Sequence, residues 1–138
     1  MTQEDKLLLL KDFCMRLPYD VMVDYESHIY VLNEIDSGCK DIDYITVRIQ
    51  DVERLMCAKS MMIEDIKPYL RPMSSMTEEE IVEFKWLNEK CDAMPTFEYV
   101  PVENYRIFDW LNRHHFDFRG LIPKGLAIEV NESNNPYK

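Results

Sequence analysis

Between Asp109 and Gly120, two histidines (His114, His115), two carboxylates (Asp109, Asp117), two arginines (Arg113, Arg119) and Trp110 fall within twelve residues. Such a set has the parts for acid–base chemistry: His114 or His115 as a general base, Asp117 or Asp109 to orient it, and Arg119 to hold an anion. On a helix, adjacent histidines point about 100° apart, so only one of the pair can share a pocket with Asp109. A zinc site wants three or four converging ligands, and His-His has no third spaced His or Cys beside it. The chain carries no Gly-x-Ser-x-Gly, no glycine-rich phosphate loop and no His-Glu-x-x-His. Cys57 has only Lys59 as a positive neighbour, which favours an inert thiol over a nucleophile. Two readings of the cluster follow. One is packing and capping within the fold. The other is a contact surface of Trp110, Arg113, His114, His115, Asp117 and Arg119, since exposed Trp, Arg and His dominate interface energies.

Three kinds of element must position that cluster. Thr2 to Leu17 reads as a helix capped by Thr2 and ended by Pro18, with Leu7, Leu10, Cys14 and Leu17 at helical spacing. Residues 19–66 read as a small antiparallel β unit of four or five strands. Val21, Val23 and Tyr25 alternate with polar residues, Ser27 marks a tight turn, and His28 to Ile35 is more heavily apolar. Asp36-Ser37-Gly38 supplies turn chemistry; Ile45, Val47 and Ile49 alternate again. Glu53 to Ala58 and Met61 to Ile63 are the fourth and fifth candidates. The strand count and length suggest an SH3-like barrel.

Pro68 and Pro72 interrupt regular hydrogen bonding, which makes residues 67–76 a joint. Beyond it a helical layer (77–130) opens with Thr77 as cap, Glu80 three residues on, and Met76 placed to staple onto Ile81. Glu78 to Cys91 is a helix with Ile81, Phe84 and Leu87, plus Val82 and Trp86, on or near its buried side. Thr96 to Pro101 reads as extended, and a second helix from about Glu103 to His114 carries Ile107, Phe108 and Leu111. A looped, apolar segment with two of the three glycines follows, and residues 131–138 read as a flexible polar tail. The methionines around the joint fill core space or line an adaptable groove. The whole is expected to be one α+β domain.

At 138 residues and 46% hydrophobic, the chain is sized for one packed core. No apolar run reaches the roughly 20 residues of a membrane span, and the acidic N-terminus is unlike a secretion signal. Four scattered cysteines (Cys14, Cys39, Cys57, Cys91) point to buried, reduced thiols. The net charge of −10 disfavours direct nucleic-acid binding. Residues 77–104 hold eight acids against two lysines, whereas 105–127 hold four basic residues against two acids. The two segments are expected to neutralise each other within the fold.

The pieces Thr2-Gln-Glu-Asp-Lys, Leu8-Leu-Leu-Lys-Asp, Arg16-Leu-Pro-Tyr, Ile66 to Glu80, Asp109-Trp-Leu-Asn, His114-His-Phe-Asp and Arg119-Gly-Leu-Ile resemble an uncharacterised family of small acidic proteins encoded by gut anaerobes and their phages or mobile elements. The resemblance spans nearly the whole chain and is weakest from Val21 to Met62. It implies a cytoplasmic protein and brings no known activity, cofactor or site residue. The resulting expectation is a non-enzymatic, cofactor-free protein-interaction or regulatory module of the cytoplasm, with a protein partner and no membrane contact. Two alternatives are an acidic inhibitor that imitates nucleic acid and a small enzyme using His114 or His115 with a carboxylate.

Overall fold

The computed structural model describes residues 1–36, 45–53, 58–92 and 102–137. The fold is α+β. Helix α1 (Gln3–Arg16) is followed by strands β1 (Met22–Tyr25), β2 (His28–Asp36), β3 (Thr46–Asp51), β4 (Ala58–Met62) and β5 (Lys67–Leu70). Helices α2 (Glu78–Asp92) and α3 (Val102–Arg113) and a short strand β6 (Ile128–Glu129) complete it. The strands form one sheet in the order β4-β3-β2-β1-β5-β6, antiparallel except for the β5–β6 pair. With β4 and β6 at opposite ends the sheet is open, so the described strands do not close into the expected SH3-like barrel.

The first three strands follow the alternation. Val23, Tyr30, Leu32, Val47 and Ile49 turn one face into the core, while Asp24, Asn33 and Arg48 stay outside it. Leu32 and Ile35 both pack on the core although they lie an odd number of residues apart. A bulge between Leu32 and Glu34 makes this workable, since the extra residue resets the two-residue period. The β1–β2 hairpin turns on Glu26 and Ser27, both left-handed (φ 49° and 65°), with Tyr25 opposite His28. Two consecutive positive φ values fit the right-handed twist of the flanking strands.

Several expectations change. Ala58–Met62 is one strand that absorbs parts of both the fourth and fifth candidates, and residues 54–57 lie outside the described set. The true fifth strand runs through the supposed joint: Lys67–Leu70 pairs with β1, with Pro68 opposite Val23. The neighbouring position pairs Met22 with Tyr69 through a hydroxyl described below, so Pro68 falls where no ladder donor toward β1 is needed. The later half is likewise less helical than expected, since Ile128–Glu129 joins the sheet beside β5. The extended segment expected over 96–101 lies outside the described residues.

Helix α1 has the expected cap, with Thr2 Oγ1 accepting the Asp5 amide and the Asp5 carboxylate accepting the Thr2 amide. Its buried face is the expected one only in part: Leu10 and Leu17 pack on the core cluster, but the fully buried stripe is centred elsewhere. Leu9, Asp12, Phe13 and Arg16 point inward, whereas Leu7 and Cys14 are exposed. Half of that buried stripe is charged, so hydropathy places it on the wrong side. Cys14 is therefore not a buried thiol; of the other cysteines, Cys39 and Cys57 lie outside the described residues. Leu9 and Phe13 share a core cluster with the sheet and with Leu121, Leu126 and Ala127. A second cluster gathers Trp110, Leu111 and Phe116, with Met73, Met76, Phe84 and Leu87 packed on it. These methionines fill space between elements.

Candidate functional site

The capping box at Thr77 forms as expected: Thr77 Oγ1 accepts the Glu80 amide at 3.2 Å and Glu80 Oε1 accepts the Thr77 amide at 2.9 Å. Glu80 has further duties. It receives both terminal nitrogens of Arg71 at 2.6 and 2.9 Å, and His114 Nδ1 lies 3.5 Å from it. The paired Arg71 guanidinium holds the Glu80 carboxyl down at about 2, against the opposing effect of burial. Arg71 also lies over the Phe116 ring at 4.2 Å. Its backbone grips the loop after α3, with its amide donating to His115 O and its carbonyl accepting the Asp117 amide.

Around this ion pair opens a cleft of about 700 Å³, lined by Arg71, Thr77, Arg113, His114 and His115, and by Asn131, Glu132, Asn135 and Tyr137 of the C-terminal segment. His115 is left-handed (φ 63°) and its ring stacks on Tyr137 with centroids 3.8 Å apart. Burial, with the nearby charges of Arg16, His114 and Arg71, pulls its proton affinity down to about 4, so the imidazole is neutral at pH 7. Tyr137 is not part of a frayed tail. Its hydroxyl accepts the Met22 amide at 3.0 Å and donates to the Tyr69 carbonyl at 2.7 Å, standing where β1 and β5 would otherwise bond directly. Burial raises its phenol strongly, which keeps that hydroxyl a donor.

The six residues singled out by sequence divide. Trp110 is 5% exposed and packs against Phe84, His114 and Phe116, its Nε1 having no hydrogen-bond partner. Asp117 is buried and caps the following turn, its two oxygens accepting the Leu121 and Ile122 amides at 2.9 Å each. Arg119 turns inward to Asp12 at 2.7 Å. Only Arg113, His114 and His115 reach the cleft. Of the candidate surface, apolar burial claims Trp110 and turn capping claims Asp117.

What sequence reasoning missed is a buried charge network. Asp12 and Arg16, both fully buried, pair at 2.8 Å; Arg119 completes the set on the other oxygen of Asp12. Arg16 also donates to the Phe116 carbonyl. The signal was present as an Asp/Arg pair at i and i+4 on α1. Arg119 thus pairs with α1 rather than with the acidic segment, and Arg113 pairs with Asp109 on its own helix. Among the described residues, the His114–Glu80 contact is the ion pair that links 77–104 to 105–127.

The three hydroxyls of the cleft are committed, Ser75 to the Pro72 carbonyl, Thr77 to the helix cap and Tyr137 to the Tyr69 carbonyl. Among the described residues no three His, Cys, Asp or Glu side chains gather to hold a metal. No described helix is long and apolar enough to cross a membrane. The exposed face of α2 is the other unusual surface: Ile81 (39%), Val82 (69%) and Trp86 (52%) are exposed, contrary to the expected inward stripe, and only Phe84 and Leu87 pack on the second cluster. Comparisons with protein-family models, with curated proteins and with solved structures find no match.

Proposed function

We propose that the protein is a non-enzymatic, cytoplasmic protein-interaction module whose contact face is the outer stripe of α2, one turn beyond the cleft. The observation that carries this reading is the exposure of Ile81, Val82 and Trp86 on a single helix. Aromatic and aliphatic anchors of this kind supply most of the binding energy at interfaces. Glu78, Glu79 and Glu83 lie exposed on the same helix, so the partner segment is apolar with basic flanks. The test is affinity capture with the wild type and a Val82→Asp variant, followed by crosslinking from position 82. A discrete partner that crosslinks at 82 and is lost from the folded variant supports the reading; the same partners on both proteins would overturn it.

A second reading, a small enzyme, draws on the cleft that both histidines line, with His114 Nδ1 3.5 Å from Glu80. It is weaker, because a histidine held near 4 is a poor base at neutral pH and the nearby hydroxyls already serve the backbone. The nucleic-acid-mimic reading has less support still. Among the acids, Asp12 and Asp117 are buried and Glu80 and Asp109 are paired, which removes them from any phosphate-like array.

A further inference from the structure

Far from the cleft in sequence, the core-facing side of the sheet ends in aromatic rather than aliphatic residues. Tyr25 and His28 face each other across the β1–β2 hairpin, and Tyr30 continues the same face two residues on. The Tyr25 and Tyr30 rings meet edge to face, centroids 6.2 Å apart at 62°, and His28 lies 6.3 Å from Tyr30. Beside them is a cavity of about 360 Å³ that Glu26, Asp51 and Glu53 also line. Lys59 reaches in from β4, its Nζ 5.7 Å from both tyrosine centroids.

We infer that this cavity is a binding site for an organic cation of the alkylammonium class, and that Lys59 is its intramolecular occupant. Two ring faces attract a cation through their quadrupoles, and they favour one that sheds its water readily. Lys59 occupies that position, held by a hydrogen bond to the Tyr30 hydroxyl as well as by the two rings. Counting Lys59 against Glu26 and Glu53 alone, the lining keeps an excess of negative charge, so an anion is repelled and a cation is favoured. A methylated ammonium is less hydrated than the lysine's own and displaces it. The same chemistry reaches the site either as a free small cation or as a modified lysine of another protein.

The experiment is an NMR titration of the whole chain, following amides 25–30, with tetramethylammonium, free trimethyllysine and a short neutral peptide carrying trimethyllysine. Saturable shifts confined to this face are expected, with affinity rising about tenfold in Lys59→Met, where the resident competitor is gone. In the Lys59→Met background, Tyr25→Leu abolishes the saturation and Glu26→Gln weakens it, with fold checked by amide dispersion. Tighter binding of the peptide than of free trimethyllysine identifies a protein source; equal binding identifies a small cation. No saturation in either wild type or Lys59→Met, or equal shifts with sodium at matched ionic strength, would overturn the inference.

Discussion

Two groups of charged side chains in this protein use the same residue types in opposite ways. At the α1–α3 junction, Asp12, Arg16 and Arg119 are withdrawn from water and consumed by one another. At the β1–β2 end, Lys59 and its acidic neighbours stay in an open cavity against two tyrosines. Burial makes the first group a structural part, because separating its charges leaves them without solvent. Exposure leaves Lys59, in the second group, in reach of solvent, so its contacts can be exchanged.

The largest effect should come from the buried group. Asp12→Ala strands two inward-facing arginines and is expected to destabilise the fold by about 3–5 kcal/mol, read as a lower urea midpoint at unchanged slope. A loss under about 1 kcal/mol would erase the contrast between the two groups. Tyr137→Phe removes the hydroxyl that bridges Met22 and Tyr69 and is expected to cost about 1–2 kcal/mol, with faster hydrogen exchange at the Met22 amide.

A pH titration separates two further contributions. His115 binds its proton near 4 in the fold and near 6.5 when unfolded, so the unfolded chain holds more protons between those values. The stability it contributes is complete above about 6.5 and is lost as pH falls through 4. Glu80 follows in a lower window, from its ordinary 4.5 down to about 2, as protonation releases Arg71. His115→Asn, which tolerates the left-handed backbone, should abolish the upper window and leave the lower one in denaturant titrations. The smallest effect belongs to the exposed group: Lys59→Met should change stability by no more than about 0.5 kcal/mol, even while it alters cation binding.

How much of this could be read from the chain depends on the distance between partners. The caps at Thr2 and Thr77, the alternation of β1 to β3 and the extent of α3 are local patterns, and the residues themselves display them. The inward face of α1 was not legible, because Asp12 and Arg16 look like surface residues until Arg119 is brought beside them from the far end of the chain. Pro68 argues against a strand unless its register opposite Val23 is known. The burial of Trp110 and Asp117 was hidden for a related reason: polar-tipped and clustered in sequence, they are claimed by packing and by a turn. The tyrosine-lined cavity draws on all of β1 to β4, and no short stretch announces it.

The hydroxyl that Tyr137 lends to the seam between β1 and β5 sits 115 residues downstream of Met22. During synthesis from the N-terminus, the sheet can assemble its hairpins early but cannot finish this seam until Tyr137 itself has left the ribosome. A nascent chain stalled short of that tyrosine would hold two strands side by side with their shared rung unfilled, a waiting state that chaperones and proteases can sample before the fold locks.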